Sequence, residues 1–206
     1  MLKTVLLKIE KFVFRLLLAG IFPLFLFLFS WWLAYFFGLE HLIPLISMAG
    51  LVLGIIIDVV ILKSWINQYL SMIFSVFTAV YIFYSFAVFG FFMGVPIFNL
   101  LPAVIGGYYY GRKLSSQSAK ESRIIKERKT VSLFTSVVMF FICSLSSTFA
   151  LLDKHTGNNL KGMFNLNFDV TKELIIGIIV IGGLLLIITN YFLTYLLISA
   201  ASKIKE

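Results

Sequence analysis

Asp58 is the one acidic residue set inside a long apolar run, Leu42 to Leu62. A carboxyl group in a membrane-depth helix costs several kcal/mol, so it turns toward the interior of a bundle or a water-filled cavity. There it carries a proton or cation, anchors a substrate, or rests against a structural partner such as Arg112, Lys63 or a tyrosine at the same depth. Gly50, Gly54 and Asp58 recur every fourth residue and form one helical stripe. Glycines so spaced let a second helix backbone approach closely, which directs Asp58 toward that neighbour.

Four further groups of residues have the types to bind something. Between Gly94 and Gly111 stand Pro96, Asn99, Pro102, Gly106 and Gly107. Prolines leave backbone carbonyls without donors, and short spans broken by Gly and Pro point to substrate sites in transporters. Gly107 and Gly111 add a close-packing face. Near the C-terminus Gly183, Asn190 and Thr194 share a helical face, with Gly183 suited to helix contact. Hydroxyl stripes follow the same logic: Ser71, Ser75, Thr78 and Ser85 on one segment, and Ser132, Ser136, Cys143 and Ser147 on another. Such stripes ordinarily serve helix packing; a hydrated lining is the alternative. By depth alone, Asp58, Asn190, Thr194 and the tyrosine triplet centred on Tyr109 are expected to converge in one half of the bundle, with Asn99 on the same path.

Catalytic constellations do not emerge. A zinc protease needs His-Glu-x-x-His, and the chain has only His41 and His155, both outside the apolar runs. Carboxylate-pair catalysis needs two acids at one depth, and a Ser–His dyad needs a histidine there. There is no phosphate-binding glycine loop and no cluster with metal-ligand spacing. No enzyme activity, cofactor or metal is expected. The single Cys143 can form no internal disulfide.

The elements that must hold these residues follow from composition. Of the 206 residues, 61% are hydrophobic and 13% charged, against about 45–50% and 25% in soluble domains. A water-soluble fold of this size has too much surface to hide so many apolar side chains. Lipid is therefore the expected solvent. A span needs about 20 apolar residues, and the uncharged runs give spans at about 16–39, 42–62, 68–89, 95–111, 130–152 and 174–201. The third and fourth come from a single uncharged stretch, Ser64 to Gly111. As one helix it would measure roughly 72 Å, so it must fold back, at Gly90 to Pro96 where two glycines and a proline coincide. The reading is an all-α bundle of six transmembrane helices in a single membrane domain, residues 1–206.

Net charge is +8. The cations gather at the ends of apolar runs and do not form a stripe with interleaved aromatics, which argues against nucleic acid as a partner. If the N-terminus is cytoplasmic, 14 of the 17 basic residues fall on the inner side, leaving Lys154, Lys161 and Lys172 outside. That bias places both termini inside. Residues 1–15 set Leu2, Val5, Leu6, Ile9, Phe12 and Val13 against Lys3, Lys8, Lys11 and Arg15, the pattern of a helix lying on an anionic leaflet. A frayed basic lead-in is the plainer alternative. The mixed-charge segment 112–129 is expected to extend its flanking helices into the cytoplasm, and 153–173 to form an extracellular loop.

In size, span number and basic cytoplasmic segments the chain resembles the substrate-binding components of energy-coupling-factor vitamin transporters. It departs from them in lacking the Ala-xxx-Ala pattern on the first span, where Ala19 and Ala34 stand far apart. The functional expectation is a small-solute or ion transport component of a bacterial cytoplasmic membrane. Its partners would be the lipid bilayer and, with no nucleotide motif of its own, other membrane subunits or a separate ATPase. A non-transporting scaffold, assembly or regulatory subunit is the competing reading.

Overall fold

A computed structural model describes residues 2–163, 165 and 167–204, with side chains described outside 2–6, 61–68 and 163. The side chains of Leu2, Lys3, Val5, Leu6 and Lys63, singled out above, lie outside the described residues, as do residues 205 and 206. Among the described residues the chain is helical throughout, without strands. In order the helices are α1 (Leu2–Ala19), α2 (Ile21–Phe36), α3 (Ile43–Trp65), α4 (Phe74–Phe91), α5 (Leu100–Ser116), α6 (Glu121–Leu152), α7 (Thr156–Met163) and α8 (Lys172–Ala201). Among the described residues five helical stretches are long and apolar enough to cross a membrane: Leu7–Phe36, Glu40–Val60, Phe74–Phe91, Glu121–Leu152 and Lys172–Ala201. Their large apolar side chains point outward. Ile181, Leu185, Ile188, Phe192 and Leu196 are all exposed on α8 alone, a distribution that water does not tolerate over so large an area.

The chain folds as two compact units, 1–72 and 73–206. In the first, α2 and α3 form an antiparallel pair. The glycine stripe of α3 makes the contact. A methyl group at Gly54 would stand 2.5 Å from Pro23 Cα, and one at Gly50 would stand 2.5 Å from the Leu26 carbonyl oxygen and collide with Ser30. Helix α1 ends at Ala19 and α2 starts at Ile21, because Pro23 has no N–H for the Ala19 carbonyl. The helix break thus falls at Gly20, beyond the residue-15 boundary that charge alone suggests.

In the second unit α5 lies parallel to α8 and α6 antiparallel to it. Gly107 rests against Thr194 and Leu197, and Gly111 against Ile198 and Ala201, where an added methyl would approach the Ile198 oxygen to 2.7 Å. Helix α4 joins α5 and α6 through stacked and edge-on rings: Phe77 with Tyr109 at 5.7 Å and Tyr110 at 5.2 Å, and Tyr81 with Phe134 at 5.5 Å.

The fold-back between α4 and α5 falls at Gly94, whose φ of +81° is left-handed and suits glycine. The Gly94 N–H closes α4 on the Phe89 carbonyl, 2.8 Å, and the Gly94 carbonyl accepts from Ser146 Oγ of α6, also 2.8 Å. A short 3-10 turn, Pro96–Asn99, leads into α5. Between α6 and α8, the Asn- and Gly-rich segment carries the short helix α7. Its start is capped by Asp153, whose Oδ1 accepts the His155 N–H at 2.9 Å.

Candidate functional site

The second unit buries a chain of neutral polar groups contributed by α4, α6, α8 and the turn before α5. On α8, Asn190 and Thr194 are one turn apart and both fully buried. Thr194 Oγ1 lies 3.1 Å from Thr135 Oγ1 on α6. Thr135 already donates its only hydroxyl proton to the Ser132 carbonyl, 3.0 Å, so Thr194 is the donor in the threonine pair. On α4 the Tyr81 hydroxyl lies among the side chains of Asn190, Ser85 and Thr135. Asn99, buried at the entry to α5, donates Nδ2 to the Ser85 carbonyl at 2.7 Å. The Tyr81 ring reaches this position because α5 has glycine opposite it; a methyl at Gly106 would stand 3.0 Å from the ring.

Hydrogen-bonding capacity in this seam is far from used up. Among the described residues neither amide atom of Asn190 makes a hydrogen bond of good geometry, although Tyr81 is near; Asn99 Oδ1 and Ser132 Oγ are likewise buried without a described partner. Each such group costs about 1–3 kcal/mol when left unmet, and folded proteins satisfy about nine in ten of them. Four unmet atoms on three residues of one seam mark a place where something polar belongs.

Cations gather beyond the seam, where α5, α6 and α8 lengthen past the apolar run. Arg112 is fully buried and donates to the Ile204 carbonyl at 2.6 Å, joined there by Ser115 Oγ at 2.6 Å. Arg128 lies 3.9 Å over the Tyr195 ring and donates to Ser199 Oγ at 3.0 Å. Lys113 sits 4.9 Å over Tyr110, whose hydroxyl donates to Glu127 at 3.0 Å. These residues tie the C-terminal end of α8 to α5 and α6.

The first unit is organised differently. Asp58 is 5% exposed on α3, one turn past the glycines that hold α2, and its Oδ1 has no hydrogen-bond partner among the described residues. A second acid, Glu10 on α1, is also buried. It accepts from the Tyr69 hydroxyl at 3.2 Å, and Tyr69 stacks on Phe14 at 5.6 Å.

Of the residues singled out from the sequence, Asn190, Thr194 and Asn99 lie along the polar seam, the last through Ser85. Tyr109 is part of the aromatic contact with Phe77. Asp58 belongs to the first unit. Gly50, Gly54, Gly107 and Gly111 each face a neighbouring backbone closely, whereas Gly183 has only Cys143 Cβ at 4.0 Å. Sequence reasoning passed over Tyr81, Thr135 and Glu10. Tyr81 stands four residues before Ser85, and Thr135 stands between two serines of the α6 stripe, so helical spacing carried the signal. Glu10 was hidden by the surrounding lysines, although its spacing with Phe14 and Leu18 puts it on a buried face. Among the described residues no three His, Cys, Asp or Glu side chains come together as metal ligands would.

The chain matches no protein-family model, no curated protein and no solved structure.

Proposed function

We propose that this chain is a six-span transport component of the cytoplasmic membrane, with both termini inside, moving a small solute or ion. The observation that carries the reading is the buried seam of unmet polar atoms at Asn190, Asn99 and Ser132, set among helices whose outer surfaces are apolar. A polar lining inside a lipid-facing bundle is costly unless something polar occupies or passes it. The span that brings the five to six is α5, fourth in chain order. At 17 residues it is short, but the Pro96–Asn99 turn lengthens it, and its parallel course beside α8 suits the fourth and sixth members of an alternating bundle. The positive-inside bias supplies the orientation. Residues 1–15 lie on the inner leaflet in this reading, and a separate ATPase is needed only for movement against a gradient.

The test is reconstitution of the purified chain into proteoliposomes, with entry of K+, protons and small uncharged solutes followed separately. Flux of at least one class above that of empty liposomes is the expected result. The close glycine contacts at Gly54 and Gly111 favour the second reading, a non-transporting membrane scaffold, and absence of flux for every class would select it.

A further inference from the structure

The chemistry of the seam narrows what would fill it. Asn190 offers two N–H donors and a carbonyl with two lone pairs, is 0% exposed, and uses none of this capacity in a hydrogen bond of good geometry. Beside it lies the Tyr81 hydroxyl, which also has Ser85 and Thr135 around it. Thr135 has spent its proton on the Ser132 carbonyl and offers only lone pairs. Asn99 adds an acceptor, its Oδ1 unmet while its Nδ2 is held by Ser85. A ligand here meets donors and acceptors side by side.

Charge decides the rest. Asn190, Asn99, Tyr81, Ser85, Thr135, Ser132 and Thr194 are neutral groups, so an ion among them would be desolvated with no counter-charge, which costs far more than burying a neutral polar molecule. Size is limited by Gly106, already in contact with the Tyr81 ring, and by the Thr135–Thr194 pair. We infer that the seam is a binding site for a small uncharged solute that presents a hydrogen-bond donor and acceptor side by side, of the amide or polyol kind, with Asn190 as its principal contact. This rests on the transport reading above and names its substrate class.

The experiment measures entry of urea and glycerol into proteoliposomes by stopped-flow light scattering, at sub-denaturing urea. Guanidinium serves as the charged counterpart of urea, with nearly the same shape. Expected are urea or glycerol entry above empty liposomes, exclusion of guanidinium, and a loss of about tenfold in Asn190→Leu. Tyr81→Phe, which keeps the ring and removes only the hydroxyl, lowers entry by a smaller factor and guards against a folding artefact, with monodispersity in detergent checked for both. Entry of guanidinium or K+ without urea or glycerol would overturn the substrate class while leaving transport standing. Neutral flux that both folded variants retain in full would overturn the site. Water passage alone, with no solute of either kind, would sink this inference and the transport reading together.

Discussion

The two units of this chain bury polar groups in opposite ways. The first buries two acids, Asp58 and Glu10, the second of which accepts from Tyr69, beside a helix pair drawn together by glycines. The second buries linked neutral groups, Tyr81, Asn99, Thr135, Asn190 and Thr194, and sets Arg112, Lys113 and Arg128 together at one end, on aromatic rings and a backbone carbonyl. A lone carboxyl in an apolar setting cannot share its cost with neighbours. Hydroxyl and amide groups can, because each gives and accepts. Close backbone approach at glycines therefore holds the α2–α3 pair of the first unit, and a hydrogen-bonding lining with spare capacity distinguishes the second.

The largest effect expected is at the glycines. Gly54→Ala places a methyl 2.5 Å from Pro23 backbone and should cost about 3 kcal/mol, the upper range for overpacking. Gly183→Ala, with its nearest neighbour at 4.0 Å, should cost nothing measurable. Unfolding in mixed detergent reads both. Equal tolerance at the two positions would remove the claim that backbone contact builds the α2–α3 pair.

Next comes the lone acid. Asp58→Leu is expected to raise stability by about 2 kcal/mol, since it exchanges a buried carboxyl lacking a described partner for an apolar side chain. A fall in stability on the same unfolding assay would show that the carboxyl is satisfied, and the contrast between the units would narrow to one of charge.

The smallest effect belongs to an ion pair exposed to solvent, which sets the zero of the scale for both units. Lys161 Nζ lies 2.6 Å from Asp169 Oδ1, and this hydrogen-bonded lysine holds the Asp169 carboxyl below its ordinary value of 3.8. A lowered value means stabilisation fully present above the ordinary carboxylate range and lost as pH falls through the lower value. Hydrogen exchange in α7 should therefore be unchanged from neutral pH down to the ordinary carboxylate range apart from the intrinsic rate, and lose a little protection only below that range. Lys161→Ala should abolish that acid dependence; its persistence would assign it to another group.

Much of the architecture could be read without coordinates. Uncharged runs of 20 or more residues fix helices in lipid because an unpaired backbone is too costly there. The fold-back was visible because two glycines and a proline fall together between Gly90 and Pro96. Helix α7 was not, since Asn and Gly disfavour helices and its start depends on a cap from Asp153. In the site, Asn190 and Thr194 drew notice as polar residues in an apolar run. Tyr81 did not, because tyrosine in a membrane segment reads as an interface anchor until its hydroxyl is found beside Asn190.

Composition and the spacing of charges by themselves determined that this chain makes long lipid-compatible helices, because the free energy of apolar transfer adds along a segment and needs no knowledge of neighbours. Only the tertiary structure decided which polar groups meet. Helical periodicity sets the direction of a side chain around its own axis, yet says nothing of which helix stands opposite. The meeting of Thr135 with Thr194, and the unmet valences left at Asn190, are set by the packing of α5 and α6 on α8.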